Sequence, residues 1–161
     1  MAAGYLELVT GEITVFSGSS HPDFVEELCQ ILGVALAPAR TMRFSNDCLQ
    51  VQQRANCRRR DVYVVQSLVP PVQENLVELL LLLDAASARR VRGPHQCRHP
   101  ALRVRPAHKK DAPRISIGPR LVADLFATAG ATRVLTMALY APQVHGFFTD
   151  ALSRGVGSGT P

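Results

Sequence analysis

Long hydrophobic runs are missing from this chain of 161 residues. The most apolar stretch, Leu79 to Leu83, is far shorter than the roughly 18 residues that a membrane span requires. The N-terminus has neither a basic start nor an apolar signal core. We therefore expect a cytoplasmic protein with no membrane partner.

Cysteine is scarce, and its spacing suggests no pairing. The four cysteines form no CxxC motif, and a chain without a secretion signal is a poor candidate for disulfides. Free thiols are the expectation, and no zinc site or other metal ligand is predicted. The four residues are Cys29, Cys48, Cys57 and Cys97.

Acidic residues are missing from one long segment, Arg89 to Lys110, which holds six Arg and two Lys. The whole chain has a net charge of +5, yet outside this segment 10 basic residues face 13 acidic ones. The basicity thus belongs to one segment rather than to a face of the fold. A nucleic-acid arm is the least favoured reading because the segment has no interleaved aromatics, so no nucleic-acid partner is expected.

The composition that remains is that of a folded domain. Hydrophobic residues make up 47% of the chain and charged residues 19%, as in globular proteins. Residues 12–17 read as a short buried strand. Ser20 is the predicted N-cap and Gly33 the stop of a helix. Its expected buried face consists of Phe24, Val25, Leu28, Ile31 and Leu32.

Two further strand and helix pairs follow. Residues 61–66 read as a buried strand, and residues 74–88 as a helix that is apolar nearly all round. Gly118-Pro119 starts a third helix that Gly130 ends, before a strand over residues 133–137. Its expected inward residues are Leu121, Val122, Leu125, Phe126 and Ala129. Alternating strands and helices predict an α/β fold with a mainly parallel sheet and flanking helices.

Six motifs, in this order and spacing, resemble the ribose-phosphate pyrophosphokinase (phosphoribosyl pyrophosphate synthetase) family. The resemblance covers about residues 11 to 148 and only the N-terminal domain. It implies a phosphoribosyltransferase-like domain over residues 1–150, an unstructured tail over 151–161 and no second catalytic domain. The motifs are Val15 to His21, Arg43 to Asn46, Asp61 to Ser67, Glu74 to Leu80, Lys109 to Asp111 and Gln143 to Phe148.

The resemblance implies a reaction and a nucleotide site. The family transfers the β,γ-diphosphoryl group of Mg-ATP to the C1 hydroxyl of ribose 5-phosphate, for nucleotide biosynthesis. By resemblance, Phe44 would stack on adenine and Asn46 would hydrogen-bond its edge. From the residues alone, a core Phe44 and a turn Asn46 are equally well supported. Cys48 replaces a family acid, which removes one contact to the base.

Lys109, Lys110 and Asp111 match a family loop next to the phosphates, where ammonium groups suit triphosphate charge. A solvated lysine pair is the alternative. The residues before them, 106–108, lack the Arg that should clamp ATP, and Tyr140 replaces a family His that is associated with the metal. We therefore expect ATP and Mg²⁺ binding to be doubtful, no intact catalytic residue, and a truncated or frameshifted copy that is inactive alone. The alternative is a non-catalytic subunit that associates with full-length synthetase or forms a homo-oligomer.

Residues 89–108 are expected to disrupt a central strand of the sheet. Codons can be chosen for residues 98–107 whose shifted frame reads Val-Ile-Pro-His-Tyr-Gly-Tyr-Ala-Arg, the type of segment that the family has there. We interpret this segment as a compensated frameshift. If the segment loops out, the sheet has a gap and the fold is marginal, because Pro and unpaired charge fit poorly in a buried strand.

Overall fold

The computed structural model describes residues 12–57, 60–87, 97–100, 117–135 and 146–148. The predicted α/β class with a parallel sheet is confirmed. The elements are β1 (Glu12–Ser17), α1 (Pro22–Leu32), β2 (Ala39–Arg43), β3 (Leu49–Gln53), β4 (Arg60–Val65), α2 (Val72–Ser87), β5 (Cys97–Pro100), α3 (Gly118–Thr128) and β6 (Arg133–Leu135).

The main sheet has the strand order β1-β4-β5-β6, and each neighbouring pair is parallel. β1 and β4 pair along their whole length, from Glu12 opposite Arg60 to Ser17 opposite Val65. Helices occupy the connections, as parallel strands require. The main core lies between β4, α2 and α3, and its least exposed side chains include Phe16, Val64, Leu82 and Phe126.

The arginine-rich segment does not leave a gap in the sheet. Residues 97–100 form β5, which lies between β4 and β6. The strand is short: its register to β4 consists of Val62 opposite Cys97 and Tyr63 opposite Arg98. These four residues thus pair with both neighbouring strands although their sequence has no strand pattern. This is possible because the hydrogen bonds between strands need only main-chain groups.

α1 begins one residue later than predicted. His21 is its N-cap and Pro22 opens the helix, whereas the Ser20 hydroxyl donates to the side chain of Gln66 at 2.8 Å. Ser20 is therefore not the cap, because its hydroxyl has another partner. The predicted stop at Gly33 is confirmed: its φ of 67° is left-handed, a conformation that glycine adopts at low cost.

The buried faces of α1 and α3 are narrower than predicted. Val25 and Cys29 are the buried residues of α1, while Phe24, Ile31 and Leu32 are exposed. In α3, Val122, Ala123 and Phe126 are buried as part of its inner face. The prediction that Phe24, Ile31, Leu32, Leu121 and Leu125 point inward is wrong, because each helix contacts the sheet along a single stripe.

A two-stranded antiparallel hairpin, β2–β3, was not predicted. Its register runs from Ala39 opposite Gln53 to Arg43 opposite Leu49. It lies on α2, with Val51 among the residues that pack against the main core. The hairpin places residues 44–48 at its tip, beyond the sheet.

Candidate functional site

The tip of the β2–β3 hairpin carries the two residues predicted to contact adenine. The Phe44 amide donates to the carbonyl of Cys48 at 2.9 Å, and the Asp47 amide donates to the carbonyl of Phe44 at 3.0 Å. Asp47 adopts a φ of 62°, which Asp tolerates better than most residues. These bonds fix a tight turn at the tip.

Phe44 is 49% exposed, so the interpretation of Phe44 as a core residue is wrong. Asn46 lies in the turn, and its side-chain oxygen accepts from the Cys48 amide at 3.3 Å. That bond orients the side chain and uses only its acceptor, so its amide N–H groups can donate elsewhere. The tip therefore presents an aromatic face and an amide donor two residues apart, which suits a purine ring.

Polar contacts dock the hairpin on α2 at intervals of one helical turn. Near the tip, Arg43 forms an ion pair with Glu74 at 2.5 Å, and this hydrogen bond raises the pKa of the guanidinium above its usual value. At the base, the Gln53 side-chain amide donates to the Leu82 carbonyl at 2.9 Å. The hairpin thus has a fixed orientation on the helix.

Between those two contacts lies Glu78, which is 2% exposed. The Thr41 hydroxyl donates to its carboxylate at 2.5 Å. The Ser19 hydroxyl donates at 2.6 Å, and the Gln66 amide donates at 2.8 Å. The Ser19 backbone amide also donates to Glu78, at 3.2 Å. The partners are neutral donors from three separate elements, so hydrogen bonds compensate the burial of this charge.

Gln66 extends this network beneath the β1–α1 loop. Its side-chain oxygen accepts from the Ser20 hydroxyl, and that hydroxyl in turn accepts from the Ser67 amide at 2.9 Å. A Cβ on Gly18 would lie 2.0 Å from the Gln66 side-chain oxygen. A side chain at Gly18 would therefore force the buried Gln66 amide to shift from its hydrogen bonds.

A cavity of about 360 Å³ opens between the β1–α1 loop and the segment that leads into β2. Ser19 and Thr41 both line it and both bind Glu78. The cavity lies at the carboxyl end of β1, where ligands of open α/β sheets usually bind. Its remaining lining residues are Ser17, Gly18, Pro22, Leu36, Ala37, Pro38 and Ala39.

The structure tests only part of the sequence-predicted site. Lys109, Lys110 and Asp111 lie outside the described residues, as does Tyr140. Within the described ranges, no group of three or more His, Cys, Asp or Glu side chains could hold a metal ion. In that same part of the chain, no helix is long and apolar enough to cross a bilayer.

Sequence reasoning missed Glu78, although one signal pointed to it. It is an acid between Val77 and a run of leucines in a helix that was predicted to be apolar nearly all round. A charge in such a helix either faces solvent or has buried partners. Because the hairpin was not predicted, the sequence did not show that Glu78 is buried with partners rather than exposed to solvent.

Comparison with known proteins decides the family. A family model described as the N-terminal domain of ribose phosphate pyrophosphokinase matches residues 13–130. The chain belongs to the ribose-phosphate pyrophosphokinase family. A Streptomyces coelicolor protein provisionally named ribose-phosphate pyrophosphokinase is 59% identical over 138 residues, which are 86% of this chain and 43% of that protein.

Other members of the family agree in sequence and in structure. The ribose-phosphate pyrophosphokinase of Deinococcus radiodurans is 46% identical over 147 residues, 89% of this chain and 46% of that protein. The crystal structure of phosphoribosylpyrophosphate synthetase from Mycobacterium smegmatis superposes with a TM-score of 0.78 at 30% identity, covering 85% of this chain and 46% of that one. The chain thus spans less than half the length of these pyrophosphokinases.

Proposed function

We propose that the hairpin tip is the adenine contact of an ATP site, and that the chain serves the family reaction on its nucleotide side. The observation that carries this proposal is the half-exposed ring of Phe44 beside the oriented amide of Asn46. Phe44 would stack on the base, and the Asn46 amide would donate to a ring nitrogen. The family reaction is diphosphoryl transfer from ATP to ribose 5-phosphate, which releases AMP.

The phosphate side of this site would use Lys109 and Lys110, by resemblance. Ammonium groups there would neutralise triphosphate charge, and Asp111 completes the motif. The role that the described residues support is to bind and orient the base.

Calorimetric titration of the chain with Mg-ATP tests the nucleotide site. Stacking on an aromatic ring contributes about 1–3 kcal/mol per base, so Phe44→Ala is expected to weaken binding by about 5-fold to 150-fold. Phe24→Ala is the matched control, because Phe24 is also a partly exposed phenylalanine, at 39%. An equal change in both variants would overturn the assignment of Phe44.

We propose further that the chain does not turn over alone. Tyr140 stands where the family has a metal-associated His, and residues 106–108 lack the expected Arg. Incubation with Mg-ATP and ribose 5-phosphate should release no AMP above the level of buffer. AMP release that depends on ribose 5-phosphate would contradict this proposal.

A second candidate function is that of a non-catalytic subunit of a full-length synthetase. The observation that favours it is the exposure of large apolar side chains at the end of α1, where Ile31 is 76% and Leu32 52% exposed. Such side chains often mark contact surfaces. Co-expression with a tagged full-length synthetase should co-purify the chain, and Ile31→Ser should reduce the yield. If the Ile31→Ser variant co-purifies in the same yield as the wild-type chain, this surface is not the contact with the synthetase.

A further inference from the structure

We propose that Glu78 is a positioning residue that couples the β1–α1 loop to the nucleotide-binding tip of the hairpin. This proposal rests on the proposed nucleotide function only in its last measurement, the binding of Mg-ATP. One carboxylate binds Ser19 of the loop and Thr41 of β2 at once. Movement of either element therefore changes the hydrogen bonds that hold the other.

The distances make this coupling specific. Thr41 is two residues along β2 from Arg43 and three from Phe44, so the contact holds the strand that leads into the tip. Ser19 donates to the same carboxylate through both its hydroxyl and its amide, at 2.6 Å and 3.2 Å. Because Glu78 is buried, these bonds are partly shielded from water and are stronger than contacts between fully exposed groups.

Among the described residues, the carboxylate depends on three partners for its hydrogen bonds. Its two oxygens accept from Ser19, Thr41 and Gln66, which fills most of the roughly four lone-pair positions of a carboxylate. When the Thr41 hydroxyl is removed, one oxygen faces the methyl groups of a valine instead. The hairpin then loses the central one of the three polar contacts to α2 described above.

The cavity contains both residues that Glu78 couples. Ser19 and Thr41 both line it, so a group bound there would contact both of the elements that Glu78 joins. Coupling free energies are reciprocal. A change at Ser19 should therefore be detected at the hairpin, and a change at Thr41 should be detected at the loop.

Hydrogen exchange of the full chain tests the coupling without any ligand. Ser19→Ala is expected to speed exchange of the β2 amides several-fold, and Thr41→Val should do the same for the amides of residues 18–20. The amides of β4 should not change, which separates coupling from a general loss of stability. Exchange that changes only around the substituted residue would overturn the proposal.

Binding of Mg-ATP to the same variants measures the positioning role. If the hairpin is correctly oriented in a smaller fraction of molecules, the apparent Kd rises by that factor. We expect an increase of about tenfold for Thr41→Val, because a hydrogen bond to a charged group is lost. Thr41→Ser retains the hydroxyl and should restore binding.

Thr128→Val is the matched control. It removes a threonine hydroxyl that donates to the Asp124 carbonyl at 2.8 Å, on the exposed side of α3. It should leave both ATP affinity and hairpin exchange unchanged. If the wild-type chain does not bind ATP, the nucleotide proposal fails, and hydrogen exchange alone decides the coupling. Equal effects of Thr41→Val and Thr41→Ser would overturn the role of the hydroxyl.

Discussion

The two sides of the strand order, β1 and β4 on one and β6 on the other, differ in strand length and in burial. β1 and β4 pair over their full length and pack under α2, where Val64 and Leu82 are completely buried. On the other side, β6 spans Arg133–Leu135, and Leu135 remains 54% exposed. Among the described residues, most of the buried apolar side chains lie on the side with β1, β4 and α2, which also carries the hairpin.

The largest expected difference is between two leucines. Leu82→Ala should lower the free energy of unfolding by about 3–4 kcal/mol, because it leaves a cavity in the core. Leu135→Ala, on β6, should cost less than about 1 kcal/mol, as exposed substitutions usually do. Urea denaturation monitored by circular dichroism measures both. Similar losses would mean that the two sides contribute equally to stability.

Gly18→Ala should have the next largest effect, about 2–3 kcal/mol, because the new methyl group overlaps the buried Gln66 and forces it from its hydrogen bonds. Gly118→Ala is the control, since a Cβ there meets no atom of the described residues within 4 Å. Thermal melts of the two variants provide the measurement. A Gly18 variant as stable as the Gly118 variant would show that Gln66 can move at little cost.

Two serines extend the comparison at a smaller scale. Ser20→Ala removes a hydroxyl that joins Gln66 to the Ser67 amide, and about 1–2 kcal/mol of stability should be lost. Ser87→Ala removes a contact to the Ala129 carbonyl at 3.0 Å, with an expected cost of about 0.5 kcal/mol. Urea midpoints compare the two variants. A larger loss for Ser87 would show that the contact between the end of α2 and Ala129 stabilises the fold more than the Gln66 network does.

Thiol alkylation should distinguish regions without any change in stability. Burial, and to a smaller extent the nearby Glu26, raises the pKa of the Cys29 thiol above its usual 9.0. Because the thiolate is the reactive form, iodoacetamide at pH 8 should modify exposed Cys48 first and Cys29 slowly. Peptide mass spectrometry identifies each site. Equal rates would show that α1 opens readily from the sheet.

The sequence predicts the regular elements of this fold well. The strand over Val62 to Val65, the stop at Gly33 and the start of α3 at Gly118-Pro119 follow from apolar patterning and from glycine and proline chemistry. These signals are local, so they can be recognised without knowledge of tertiary contacts.

Tertiary contacts explain what the sequence could not predict. The strands of the hairpin are rich in Arg and Gln and resemble loops, because their stability comes from docking on α2 rather than from strand patterning. Glu78 is buried only because Ser19, Thr41 and Gln66 converge on it from distant positions. Residues 97–100 also form a strand that their composition does not predict, because β4 and β6 supply the backbone partners.

The docking of the hairpin on α2 depends on a match between two repeat lengths. Two residues along a strand advance about 6.6 Å, and four residues along a helix advance about 6 Å. Thr41 and Arg43 can therefore meet Glu78 and Glu74 in step. The same arithmetic makes the interface intolerant of length changes: one residue inserted between Glu74 and Glu78 would turn the helix by about 100° and take one acid away from its partner. Single substitutions weaken this contact, whereas a single insertion removes its registry.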